Sequence, residues 1–271
     1  ILIVLTIFFY MLSTAGYVAY LFLQKNYLQK IGVYLILVAF LCHTISIGYA
    51  FVQSGHFPVN NLHQTLSMAS WTITGVFLIF HYRFHLKILG IFAAPLVTLI
   101  MVIASCLPSA PHQADSVLNS VLNNVWLIAH VITIFMGEAS FALACGVGFL
   151  YVVQEHTIKS KNHGFFFKRL PSLELLDTTG YACIVTGFAM LSLGLITGFI
   201  YAKSVWGRFW SWDPKETWSL ITWLVYSAFL HARLTRGWSG HRTAVLSVIC
   251  FGAVMFTYFG VNYLPGLHSY F

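Results

Sequence analysis

Trp206-Gly-Arg208-Phe-Trp210-Ser-Trp212-Asp213-Pro214-Lys215-Glu216-Thr-Trp218 sets four tryptophans among acidic and basic side chains in thirteen residues, and Trp223 follows shortly after. Tryptophan favours the headgroup level of a bilayer, so an interfacial aromatic belt is the plainest reading. A belt does not need Asp-Pro-Lys-Glu threaded through it, nor so many tryptophans in one loop. Broad aromatic faces beside a few fixed polar groups suit a large, flat, conjugated ligand with charged edges, such as a porphyrin. Arg208 and Lys215 are the natural partners for acidic ligand edges, and Asp213, Lys215 and Glu216 are placed for loop or carboxylate contacts.

Histidine supplies the second kind of chemistry. His130, in Trp126-Leu-Ile-Ala-His130, and His268, in Leu264-Pro-Gly-Leu-His268, flank apolar runs at the end where the tryptophan loop emerges. Each alone is as readily an interfacial side chain. Two imidazoles beside an aromatic loop fit axial ligation of a haem iron. His231 lies within an apolar run, about a turn from Arg233, where an ionisable side chain is a functional candidate. It has no matching histidine at its depth: His43 is mid-run, and His81 and His85 sit at the end of the third run. Its partner is expected from another chain. His112, His156, His163 and His241 read as solvated loop residues.

Two polar features and the cysteines complete the inventory. Glu138 is a lone carboxyl two turns inside a run, which is costly and makes it a candidate for haem or proton handling. Phe57-Pro58-Val-Asn60-Asn61-Leu-His63-Gln64 reads as a turn, serving re-entry or ligand contact. Cys42, Cys106, Cys145, Cys183 and Cys250 stand singly with no CxxC pair, as small buried apolar residues do, and argue against thiol–disulfide chemistry in this chain.

The elements that position these groups follow from composition. Of 271 residues, 59% are apolar and 8% charged, against about a quarter charged in a soluble domain. Apolar runs of roughly 20 residues, each long enough for a hydrocarbon core of about 30 Å, recur at 3–23, 31–52, 66–82, 88–106, 127–152, 179–202, 217–235 and 243–263. They lack the ten-residue alternation of a lipid-facing β-barrel. The expectation is an all-α, polytopic helical membrane protein of about eight transmembrane helices. It forms a single domain over 1–271, with a tryptophan loop at 203–218. Eleven of the fourteen Lys and Arg fall in alternate connections, which the positive-inside rule places in the cytoplasm or its organellar equivalent. Both termini and the tryptophan loop then face outward. The net charge of +7 follows from this topology and calls for no nucleic-acid partner.

The pattern Trp-Gly-x-x-Trp-x-Trp-Asp-Pro-Lys-Glu-x-Trp, with flanking outer histidines, resembles the CcsA family, also called ResC and sometimes CcsB. These are membrane subunits of the system II cytochrome c synthetase and belong to the wider "WWD" group of haem-handling proteins. The resemblance runs from about the second span to the C-terminus and includes Arg169-Leu-Pro-Ser-Leu-Glu-Leu-Leu-Asp177. It implies that haem b crosses the membrane with a transmembrane histidine, matching His231, as one ligand. It also implies that His130 and His268 ligate iron at an outer site. There the loop, through Trp206, Arg208, Trp210, Trp212, Asp213, Lys215 and Trp218, cradles the porphyrin. An apocytochrome c CxxCH motif then adds its thiols across the haem vinyl groups to form thioethers.

The resemblance further implies a CcsB/ResB-type membrane partner, separate or fused ahead of this domain, and thiol-reducing proteins indirectly. The location it implies is a bacterial inner membrane or a thylakoid membrane. His63 stands where the family usually has Tyr, and Glu138 where an uncharged residue is expected. The alternatives are a haem exporter or chaperone without synthase activity, a cytochrome b-like electron carrier, and a structural subunit of a membrane redox complex. No residue is an obvious general acid or base, so catalysis would consist of positioning and ligation.

Overall fold

The computed structural model describes residues 1–84, 89–107, 123–161, 164–165 and 167–263. The described residues form eight α-helices, one short 3-10 turn at Gly260–Tyr263, and no strand. The helices are α1 (Leu2–Leu23), α2 (Asn26–Ser54), α3 (Leu62–Phe84), α4 (Leu89–Ser105), α5 (Val125–Lys159), α6 (Leu173–Trp206), α7 (Pro214–Arg236) and α8 (His241–Tyr258). The expected all-helical membrane architecture is borne out. The first seven apolar runs lie largely or wholly within one helix each, and the eighth carries on past α8 into the 3-10 turn.

Five helices, α1, α2, α5, α6 and α8, are long and apolar enough to cross a membrane. The more polar α3 turns Thr65, Ser70, Thr72 and Thr74 inward. Thr72 and Thr74 donate to their own helix at Met68 and Ser70, a bond available to a buried hydroxyl where water is absent. The 35-residue α5 and 34-residue α6 rise about 50 Å at 1.5 Å per residue, so their ends outreach the hydrocarbon core. The tryptophan loop starts at the projecting end of α6.

The chain divides into two compact units, Ile1–Asn124 and Val125–Phe271. In the first, α1 and α2 approach at Gly16 and Gly32, where a Cβ added to Gly16 would lie 3.3 Å from the Gly32 Cα. Small residues at a crossing let backbones close in lipid. Ser13 donates to the Gly32 carbonyl there at 2.8 Å. His43, fully buried, is engaged at both ring nitrogens: Nδ1 with Tyr10 Oη at 3.2 Å and Nε2 with Ser67 Oγ at 2.8 Å. The Thr74 hydroxyl lies 3.0 Å from the same Tyr10 hydroxyl. This mid-membrane histidine is thus part of a satisfied three-helix network.

In the second unit α5 and α6 meet along glycines. A Cβ on Gly137 would lie 3.0 Å from the Leu191 nitrogen, one on Gly187 2.6 Å from the Phe141 ring, and one on Gly194 2.5 Å from Ile134. Phe141 also stacks on Tyr226 of α7 at 3.6 Å between ring centroids.

Candidate functional site

The tryptophan loop is built by two helix ends. Gly207, at φ +73°, closes α6 with its N–H on the Lys203 carbonyl, and Lys203 Nζ donates to the Gly207 carbonyl at 2.9 Å. Six residues on, Asp213 opens α7. Its carboxylate accepts the Lys215 N–H at 3.0 Å, Pro214 occupies the first helical position, and Glu216 completes a capping box. Glu216 Oε2 accepts the N–H groups of Asp213 at 3.3 Å and Ser211 at 2.8 Å, while Oε1 accepts the Ser211 hydroxyl at 2.9 Å. Both acidic side chains of the motif therefore hold the loop's own backbone, and Asp213 is only 5% exposed.

That staple sorts the tryptophans. Trp206 packs edge-on against Tyr201 at 5.8 Å, and Trp218 lies 4.3 Å from Phe256. Trp223 stacks on Phe188 at 5.3 Å and donates its indole N–H to Ser192 at 2.8 Å. Trp210 turns toward Phe199, with its Nε1 buried and without a hydrogen-bond partner among the described residues. Trp212, perpendicular to Trp210 at 5.7 Å, is 77% exposed and sits at φ +60°, a left-handed backbone that tryptophan rarely takes. Of the loop's four tryptophans, it alone is presented outward.

His130 is held against α6. Its Nδ1 lies 2.7 Å from the Gly194 carbonyl, and a Cβ on Gly198 would come within 2.7 Å of the same nitrogen. A carbonyl only accepts, so Nδ1 carries the proton, and the neutral ring has its lone pair on Nε2. Metal-ligating imidazoles are commonly oriented through this kind of hydrogen bond. The glycines at 194 and 198 matter because they bring a backbone carbonyl to the ring. His268 lies outside the described residues.

Arg208 is exposed. Lys215, in the first turn of α7 ahead of the apolar run at 217–235, is half-buried. Burial pulls its ammonium down to about 8, against the opposing pull of the Glu138 and Asp213 carboxyls. Glu138 lines a narrow cleft of about 20 Å3 beneath the loop with Ile134, Ser219, Thr222 and Thr257.

At the other end of the same unit, His231 is exposed on α7, away from the helix packing. Its neighbour Arg233 grips Asp177 through two bonds, of 2.9 and 2.6 Å, and stacks over Tyr181 at 4.4 Å. Asp177 also accepts the Gly240 N–H at 2.9 Å and the Thr243 hydroxyl at 3.0 Å. His241, expected as a solvated loop residue, is instead the first residue of α8 and pairs with Glu155, which also binds Lys159 at 2.7 Å. His156, also expected in a loop, belongs to the last turn of α5. His85, His112 and His163 lie outside the described residues.

Sequence reasoning did not anticipate that His63 is held like His130, with Nδ1 2.7 Å from a backbone carbonyl, here of Ala104. In the same loop Asn60 N–H donates to Gln64 at 2.8 Å, and Gln64 N–H donates to Asn61 at 2.9 Å.

Comparisons with known proteins agree with one another. The sequence profile of the family described as cytochrome C assembly protein matches residues 59–268. The cytochrome c biogenesis protein CcsA of Guillardia theta is 34% identical over 250 residues, covering 86% of this chain and 83% of the relative. CcsA of Synechococcus elongatus is 33% identical over 286 residues, covering 90% and 88%. The solved structure of the cytochrome c haem lyase CcmF superposes with a TM-score of 0.68 at 15% identity, covering 95% of this chain. The present chain spans 45% of that protein's length, so the likeness concerns the fold. Profile, relatives and fold converge on one assignment: the chain belongs to the cytochrome c assembly protein family, with CcsA-type members as its relatives, and its role is in cytochrome c biogenesis.

Proposed function

We propose that this chain receives haem b as substrate and presents it on the outer membrane face, where His130 and His268 are the iron's axial ligands and the tryptophan loop supports the ring. The observation that carries this reading is the Nδ1–H bond of His130 to the Gly194 carbonyl, which assigns the lone pair to Nε2. The donor set suits a metal that brings its own equatorial ligands. Among the described residues no three His, Cys, Asp or Glu side chains gather as a closed metal site. The exposed face of Trp212 and the cations Arg208 and Lys215 match an aromatic plane with carboxylate edges.

The chain's part in thioether formation is positioning. Each apocytochrome thiol adds across a vinyl C=C, sulfur to one carbon and hydrogen to the other, with no net redox change. Holding thiol and vinyl within reach replaces a bimolecular encounter and lowers the barrier by several kcal/mol. The histidine of the incoming CxxCH must replace one axial imidazole, and that exchange releases the product. His231, exposed on α7 with its neighbours tied together, suits an earlier haem contact completed by a CcsB/ResB-type partner chain.

The test is the visible spectrum of the detergent-purified protein with its partner, beside His130→Ala and His268→Ala. Split α and β bands in the reduced wild type, weakened by both substitutions and restored by added imidazole, are expected, together with failed cytochrome c assembly in the same variants. A colourless wild type that still supports assembly overturns the reading. Bound haem with assembly independent of this chain, once haem is supplied outside, indicates an exporter.

A further inference from the structure

At the end of the second unit opposite the tryptophan loop, positive charge is left over that the haem reading does not use. α7 ends at Arg236 and α8 begins at His241, so residues 237–240 form one tight turn. Gly237 at φ +63° and Gly240 at φ +68° supply the left-handed backbone of the reversal. The turn is anchored from inside. Asp177 accepts the Gly240 N–H while it binds Arg233 before the turn and Thr243 after it. A Cβ on Gly240 would come within 2.8 Å of the Tyr151 hydroxyl, so the turn also packs closely on α5.

The acids that hold this end are already taken. Asp177 is bound as above, and Glu155 binds both Lys159 and His241. Glu174, in the first turn of α6, is exposed. Against it stand Arg236 and Arg242 at the turn and Lys161 and Lys168 between α5 and α6. All four are exposed, and their side chains make no hydrogen bond or ion pair among the described residues. The Arg242 guanidinium lies 5.8 Å from the centre of the half-buried Trp238 ring. One turn before the end of α7, Leu234 is 70% exposed.

α8 is long and apolar enough to cross a membrane, so a turn at its first residue lies at headgroup level. Tryptophan favours that level, and guanidinium forks match phosphate oxygens. We propose that the α7–α8 turn seats an anionic phospholipid. Arg236 and Arg242 hold its phosphate, Trp238 lies at the level of its glycerol, and Leu234 meets an acyl chain. A zwitterionic lipid brings its own ammonium to the same place and loses most of the attraction. Lys161 and Lys168 add to the field that draws the anionic surface in. The seat is independent of the haem reading. A lipid held there sets the depth of the α7 end, and His231 with it, in that leaflet.

The experiment uses the detergent-purified full chain, offered phosphatidylglycerol and phosphatidylcholine with the same acyl chains. Native mass spectrometry counts the lipid retained, and thermal unfolding reads its effect. Phosphatidylglycerol is expected to be retained in preference and to raise the unfolding midpoint, and phosphatidylcholine to do neither. Each cation near an anionic surface contributes about fivefold in affinity, so Arg236→Gln with Arg242→Gln weakens phosphatidylglycerol binding roughly 30-fold. Arg236→Lys with Arg242→Lys keeps the charge without the fork and recovers part of the binding. Lys25→Gln with Lys30→Gln removes as much charge from the α1–α2 turn and leaves the binding in place. Unfolding midpoints without lipid check that each variant is folded, since the Asp177–Arg233 pair is untouched in all of them. Equal retention of the two lipids overturns the seat, as does equal loss in the Lys25 and Lys30 variant. Inorganic phosphate that raises the midpoint as far as phosphatidylglycerol shows a site for a free anion and overturns the lipid.

Discussion

The two ends of the unit formed by α5–α8 use the same residue types in opposite ways. Away from the loop, Asp177 is spent on a cation: Arg233 meets it with two bonds, and Gly240 and Thr243 fill its remaining acceptor sites. At the loop, Asp213 and Glu216 are spent on backbone N–H groups, and Arg208 stands exposed beside them. The first arrangement closes on itself and stabilises. The second fixes a loop shape while leaving the Arg208 charge and the aromatic face of Trp212 exposed. Conspicuous charge in a membrane protein is thus informative chiefly through what it is bonded to.

The largest expected effect breaks the closed end. Asp177→Ala strands a mostly buried guanidinium and removes the anchor of the α7–α8 turn, costing about 3 kcal/mol. Thermal unfolding in detergent measures this loss. The haem bands per mole of folded protein stay unchanged, because the damage is remote from His130. A spectrum altered as strongly as by His130→Ala shows instead that this end shapes the haem site.

A smaller effect sharpens the role of Asp213, which the sequence suggested as a ligand contact and the structure places as a helix cap. Asp213→Ala loses the cap at about 1 kcal/mol, and with it the fixed path through Trp210 and Trp212, so haem retention falls. Asparagine caps as well as aspartate, so Asp213→Asn restores both stability and haem bands. Equal loss of haem in the Asn and Ala variants means that the carboxylate touches substrate directly.

The helices were legible because lipid imposes a length and a composition, and a run such as 179–202 has no other reading. The tryptophan loop was legible through residue types alone. Its Asp-Pro-Lys-Glu is also a capping-box pattern with proline at the first helical position, a local signal overshadowed by the prospect of ligand contacts. The hold of Gly194 on His130 was not legible. It depends on the register between α5 and α6, across 64 residues of sequence, which no periodicity reports. His63 on Ala104 and His241 on Glu155 are long-range in the same way, and a sequence reader sees only polar residues near helix ends.

The smallest stability effect carries the sharpest question about the loop. Trp212 at φ +60° is a bulky residue in left-handed backbone, which costs about 1 kcal/mol, and at 77% exposure it recovers little by burial. Nothing in the packing around it explains its presence. Glycine suits this backbone, so Trp212→Gly leaves thermal stability within about 1 kcal/mol of wild type, the relief of strain offsetting the freedom gained by the unfolded chain. If the face of Trp212 supports the porphyrin, the same variant binds haem more weakly and assembles less cytochrome c, while Trp212→Phe retains part of both. An unchanged haem affinity in Trp212→Gly assigns Trp212 to the lipid interface and leaves the buried indole N–H of Trp210, unpartnered among the described residues, as the loop's candidate ligand group.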